Sequence, residues 1–179
     1  EKKFRENALK SYEKGLKLAK EQNLPISGVT SGGAYFSLKG VDPETGKVVY
    51  YQAFNNSATN SSVQTARTQH LYDGGSLGIN VQGQNTVFGI WDGGQPQASH
   101  QNLGLERVVN KDGANLTNAG QGGIDHATHV AGTMIGSGVG NSNARGLAFN
   151  GTLWSNNWEL DHTEMTSQAS QSLLVSNHS

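Results

Sequence analysis

The sequence predicts an α/β fold: a parallel sheet with helices on both faces over residues 67–179, preceded by a small helix-plus-hairpin extension over residues 1–60. Three observations predict it. The run Thr86-Val-Phe-Gly-Ile-Trp-Asp-Gly-Gly94 is apolar and closes on a turn signal, the mark of a strand covered on both faces. Short strand-forming runs then alternate with helical patterns as far as Ser179, the order that crossover connections require. The first 60 residues follow a different order, one amphipathic helix and then two strand-like runs joined by a turn.

Residues 2–22 place Phe4, Ala8, Leu9, Tyr12, Leu16 and Ala19 on one helical face. Asn23 and Pro25 stop that helix, because proline cannot continue the hydrogen-bond ladder. A hairpin over 33–54 follows, with Ala34–Leu38 and Lys47–Phe54 as its strands. Between them, Asp42-Pro43 opens the turn and Gly46 takes the positive φ. Residues 55–66 hold mainly Asn, Ser, Thr and Ala and read as a linker or processing region.

From Arg67 onward the elements succeed one another closely. Ser76–Gln84 is a loop approaching the Asp92 strand, and Leu105–Val109 is a second short strand. Residues 110–123 are polar and glycine-rich, a surface loop that puts His126 at the N-terminus of a helix running to about Ile135. Gly136–Asn143 is loop, Gly151–Ser155 a strand, Glu164–Leu173 a helix, and the last residues a final strand. The strand–helix–strand units are expected to cross over right-handed.

Bulk properties narrow the function classes. Net charge is −1, which gives no global electrostatic case for nucleic acid or an anionic membrane surface. Seven Lys/Arg against four Asp/Glu in residues 1–23 fit a solvated helix face. The chain has no cysteine, so thiol catalysis and disulfide frameworks are excluded. No apolar stretch is long enough to span a bilayer. Hydrophobic content of 34% and a mean hydropathy of −0.53 fit a sheet completed by further strands. Five Asn-x-Ser/Thr sequons, the first at Asn55, read as compositional in so asparagine-rich a chain.

The chemistry lies in two motifs. Residues 125–133 read Asp-His-Ala-Thr-His-Val-Ala-Gly-Thr, and Asp92-Gly-Gly94 closes the strand 34 positions before His126. Histidine suits general base work at neutral pH, and small residues such as Ala131 and Gly132 let a helix pack closely beneath it. The two motifs resemble the aspartate and histidine motifs of subtilisin-like serine peptidases, in the order aspartate before histidine. Ala144-Arg-Gly-Leu-Ala148 resembles that family's Gly-Val-Ala-Pro segment without its proline, and the glycine- and asparagine-rich loops resemble secreted Bacteroidetes-type members.

The resemblance implies a serine endopeptidase acting on protein or peptide substrates, secreted or periplasmic, with Asp92 and His126 catalytic. It implies that Asp92 orients His126, that His129 is a supporting residue, and that a Gly-Thr-Ser nucleophile lies in a C-terminal remainder of the same catalytic domain. No Gly-Thr-Ser occurs in the 179 residues, and Ser179 matches a structural strand rather than that motif. Residues 1–60 then resemble a pro-segment or an N-terminal extension, and any signal peptide has been removed or precedes residue 1. Asp125 is expected to cap the His126 helix, and Trp91 to pack under the sheet. His100, His162 and His178 are expected at the surface or behind the site.

No cofactor is required by this chemistry. Relatives often bind structural calcium, and Asp112, Asn115 and Asn118 form an oxygen-rich loop suited to it, although no spacing fixes a ligand set. Two other readings stand beside the peptidase. One is a fragment that acts only with a partner chain. The other is a metal-dependent hydrolase using Asp125, His126, His129, Asp161 and His162, without the His-Glu-x-x-His spacing of a zinc protease.

Overall fold

A computed structural model describes residues 2–31, 35–53, 63–112 and 120–179. The N-terminal helix α1 runs Lys2–Glu21. Three antiparallel strands follow, β1 (Ser27–Val29), β2 (Tyr35–Val41) and β3 (Val48–Ala53), in the order β1-β2-β3. The hairpin forms as its composition predicts. Asp42 Oδ1 accepts the N–H groups of Glu44 and Thr45 at 3.0 and 2.7 Å, and Gly46 takes φ 70°. β1 was not anticipated, because Ser27-Gly-Val29 is too short to carry an alternation signal. Gly33, Ala34 and Phe54 of the predicted hairpin, and most of the 55–66 linker, lie outside the described residues.

α1 buries Gly15 and Ala19 against β2, while Phe4 is exposed. The small residues decide the approach. A Cβ on Gly15 would stand 2.9 Å from the Gly40 carbonyl oxygen, so helix and strand meet backbone to backbone. Beside that contact, the Ser11 hydroxyl donates to the Val41 carbonyl at 3.1 Å and accepts the Val41 N–H at 3.0 Å.

The second sheet has four parallel strands in the order β5-β6-β4-β7. They are β4 (Val87–Asp92), β5 (Val108–Asn110), β6 (Thr152–Asn157) and β7 (Ser176–His178). Helix α2 (Gly120–Ile135) connects β5 to β6, and α3 (Asp161–Ala169) connects β6 to β7. Period-2 alternation assigns the faces. Ile90 and Leu153 join Ala131 and Ile135 of α2 in the apolar core. The alternate residues Trp91 and Asn156 bond to Glu164 and Gln168 of α3. The sheet therefore carries helices on both faces.

Both connections step the same way along the sheet yet lie on opposite faces, so they have opposite hands. Chirality tells which is which. With an L-strand running upward and a side chain toward the viewer, that residue's N–H and C=O point right. Trp91 faces α3, and its C=O accepts the Ser179 N–H from the β7 side at 3.0 Å. Seen from α3, β7 therefore lies to the right of β4, and β6–α3–β7 is right-handed as expected. β5–α2–β6 is left-handed, a hand adopted by only about 2% of such connections. The expectation of right-handed crossovers fails for this unit.

Element boundaries shifted for local reasons. β5 begins at Val108 rather than Leu105, because Arg107 is committed to a carbonyl clamp. Its guanidinium donates to the carbonyls of Leu103 (2.9 Å), Phe149 (2.6 Å), Asn102 (3.0 Å) and Ile135 (2.7 Å). The Ile135 carbonyl ends α2, where a cation also meets the negative end of the helix dipole. α3 begins at Asp161, three residues before the predicted start, with Asp161 and Glu164 in its first turn.

Arg107→Met should leave the Leu103, Ile135 and Phe149 carbonyls unmet and lower unfolding free energy by about 3 kcal/mol, with Arg107→Lys recovering less than half. Urea unfolding measures both, and an unchanged midpoint in the Met variant would remove the clamp from the account of stability.

Candidate functional site

Asp92 is the last residue of β4, one of the two inner strands of the sheet, and its side chain points to the α2 face. His126 comes up to it from α2. Its Nδ1 lies 2.8 Å from Asp92 Oδ1 and 3.0 Å from Oδ2. Asp92 is fully buried and His126 is 4% exposed. The structure thus brings together the two residues singled out in the sequence, at the carboxyl end of a parallel sheet, where open α/β folds place their sites.

The Asp-Gly-Gly motif acts through space rather than through φ. A Cβ on Gly93 would meet the Trp158 ring at 2.8 Å. One on Gly94 would stand 2.9 Å from the Gly123 carbonyl carbon and 3.0 Å from the Ile124 nitrogen. The chain leaving β4 can therefore lie against the α2 backbone, which sets the separation of Asp92 and His126. Thr128 pins the same junction, donating to the Ile124 carbonyl at 2.7 Å and accepting the Gln97 N–H at 2.8 Å.

Two expectations about α2 are corrected. The helix starts at Gly120, so His126 sits in its interior and not at its N-terminus. Gly120-Gln-Gly-Gly123 reads as loop by propensity, yet it opens the helix, with the Gly123 backbone lying where Gly94 comes close. For the same reason Asp125 is no cap; its Oδ1 accepts the Gln121 amide at 2.8 Å, one turn back. His129 is exposed, and its carbonyl accepts the Thr133 hydroxyl at 3.0 Å.

Burial pushes the Asp92 carboxyl above the ordinary carboxylate range, while the His126 contact and the Gly93 N–H at 2.6 Å pull it back. An ionised carboxylate only accepts, so Nδ1 carries the hydrogen and Nε2 the lone pair. The pair can take a proton at Nε2 and hold the resulting imidazolium against Asp92. Ser179, the next residue along from the pairing of Trp91 with His178, lies on the Asp92 face of β7 by alternation. Its hydroxyl accepts the Asn177 amide at 2.6 Å.

Behind the strand lies a group that sequence reasoning missed. Trp91, fully buried, donates its indole N–H to Glu164 Oε2 at 3.0 Å and stacks on His178 with ring centroids 4.8 Å apart. Trp91 lies under the sheet, and His100, His162 and His178 are all exposed, in line with the sequence reading. Burial first, and the neighbouring Asp112 second, raise the Glu164 carboxyl to about 8. Glu159 rises to about 7, chiefly through burial. Trp158 stacks on Tyr51 of β3 at 5.0 Å, joining the antiparallel unit to the site.

Asp112 Oδ2 accepts the Asn157 N–H at 2.6 Å, while Asn115 and Asn118 of the anticipated calcium loop lie outside the described residues. Among the described residues no group of three or more His, Cys, Asp or Glu could hold a metal ion, and no helix is long and apolar enough to cross a membrane. Comparison with protein-family models, curated proteins and solved structures gave no match.

Gly94→Val should drive α2 away from β4 and cost about 1–3 kcal/mol in overpacking. The imidazole Nδ1–H resonance of His126 should move or vanish with it. An unshifted resonance would show that Gly94 does not set the pair.

Glu159 gives a pH signature. Between about 4.5 and about 7 the folded state keeps a proton that the unfolded chain has released, so stability falls as pH rises through that window. Above about 7 the loss is complete. Glu159→Gln should therefore melt above the parent at pH 8 and level with it at pH 4.5, by calorimetry at both pH values. An equal gain at both would mean that the carboxyl is not held neutral by burial.

Proposed function

We propose that this chain contributes the aspartate and histidine of a subtilisin-like serine endopeptidase. The observation that carries the reading is the buried contact of His126 Nδ1 with Asp92 at the end of the β4 strand. On this reading, Nε2 of His126 removes the proton from a serine hydroxyl as it attacks the peptide carbonyl. His126 then delivers that proton to the departing amine, and Asp92 holds the tautomer and stabilises the imidazolium. The serine belongs to a Gly-Thr-Ser segment that the 179 residues do not contain, and the substrates are proteins or peptides.

Further support comes from the surroundings. Asp92 is fully buried next to Gly93, which the Trp158 ring covers, so its charge acts on the imidazolium with little screening. The parallel sheet with helices on both faces agrees with the subtilisin-like architecture as far as four strands can.

Fluorophosphonate labelling of the complete natural gene product tests the proposal. The parent should label on a serine outside these residues, and His126→Ala should abolish labelling. Asp92→Asn should fold normally and lower peptide turnover by roughly 10⁴-fold through the wrong tautomer. Near-normal turnover in Asp92→Asn, or full labelling in His126→Ala, would overturn the assignment.

A further inference from the structure

A hollow of about 630 Å³ lies where the antiparallel unit meets the segment after β6, within the range of roughly 300–1,000 Å³ typical of small-molecule pockets. α1 lines it with Ala8 and Tyr12, β2 and β3 with Val41, Val49 and Tyr51, and the turn into α3 with Leu160. Its walls are mainly apolar, and neither Asp92 nor His126 belongs to them. Phe4 stands at the rim, 64% exposed, an aromatic side chain with little to cover it.

The lining carries charge of both signs, and each charged group is already occupied. The Lys39 ammonium lies 4.8 Å from the centre of the Tyr51 ring. Asp42 accepts the Glu44 and Thr45 N–H groups, and Asp161 meets His162 Nδ1 at 2.6 Å. Glu159 Oε1 accepts the Trp158 indole N–H at 3.1 Å and its Oε2 is sealed, so that carboxyl presents nothing to a ligand. A cation entering the hollow meets Lys39 as a like charge, and an anion meets Asp42 and Asp161. Either also sheds its hydration against apolar walls. The lining selects against formal charge.

Hydrogen-bonding capacity is left on two phenols. Among the described residues, neither the Tyr12 nor the Tyr51 hydroxyl has a hydrogen-bond partner, and neither oxygen is sealed as Glu159 Oε2 is. Burial raises both phenols above their ordinary range, and nearby acids, Glu159 among them in each case, add to the rise. Both therefore stay protonated and able to donate. Donors on an otherwise apolar wall suit a carbonyl oxygen, which has two lone pairs and no hydrogen to place.

We propose that this hollow binds an uncharged aliphatic molecule bearing a carbonyl group, its chain against Ala8, Val41 and Val49 and its oxygen accepting from the phenols of Tyr12 and Tyr51. The site stands apart from the peptidase reading and does not depend on it. Trp158 reports on its occupancy, because that ring stacks on Tyr51 at 5.0 Å.

Titration with 2-octanone, 1-octene, octylamine and octanoate tests this, read by calorimetry and tryptophan fluorescence. The ketone should bind at least about tenfold more tightly than either charged probe. Replacing both phenols, Tyr12→Phe with Tyr51→Phe, should weaken the ketone roughly tenfold. Octene, which has no acceptor, should bind the parent and that variant alike. Ala8→Trp, which fills the hollow, should weaken ketone and octene together. Where melting curves show that a variant does not fold, the single Phe variants and Val49→Phe replace it. A charged probe that binds as tightly as the ketone overturns the proposal. So does ketone affinity unmoved by the folded Phe variants, or binding indifferent to a folded filling variant.

Discussion

The hand of one crossover governs the rest of this structure. α2 joins β5 to β6 left-handed and so lies on the Ile90 and Asp92 face of the sheet. A right-handed connection between the same strands would put α2 on the Trp91 face, beside α3. His126 would then be separated from Asp92 by the thickness of the sheet. Right-handed units follow from the ordinary strand twist, so the exception has to be held by contacts. The Arg107 clamp at the α2 C-terminus and the Gly94–Gly123 approach near its start fix the helix at both ends.

Those two fixings use opposite kinds of chemistry. At the C-terminus a charged fork gathers four carbonyls from separate segments, which stops the helix and ties it to the start of β5. Towards the N-terminus the Thr128 hydroxyl accepts the Gln97 N–H, and the backbones close in where Gly94 has no side chain. Glycine in a helix interior costs about 1 kcal/mol relative to alanine, and α2 carries Gly122 and Gly123 in its opening turn. What the chain gains is a backbone-to-backbone approach that places His126 Nδ1 at 2.8 Å from Asp92 Oδ1.

The same features explain what could be read from the sequence and what could not. Asp92 and His126 were legible because motif and spacing are local properties of the chain. β4 was legible because a run buried on both faces leaves a continuous apolar signature. The start of α2 was not, since Gly120-Gln-Gly-Gly123 follows loop propensity until its partner across the gap is known. β6 extends to Asn157 although asparagine is a poor strand former, because Asn156 exchanges hydrogen bonds with Gln168 of α3 and Asn157 takes Asp112. Arg107 and Trp158 gave no periodic signal, as Ile135 and Phe149 lie 28 and 42 residues from Arg107 and Tyr51 belongs to the other sheet. Crossover handedness lies outside any pattern of side chains.

A buried aspartate–histidine contact is poor value as a stabilising device. Desolvating both groups offsets most of their attraction, and well-packed apolar residues of similar volume are often as stable or better. Here the contact is accompanied by further unfavourable features: a rare crossover hand, glycines inside a helix, and a carboxyl raised by burial. All of them converge on one point at the carboxyl end of the central strands. Local rules broken together at one place, in a chain that otherwise obeys them, mark a functional site more than a structural one. Trp158 ties this point to the antiparallel unit, stacked on Tyr51 on one side and covering Gly93 on the other. Whatever moves that ring is felt at the backbone next to Asp92.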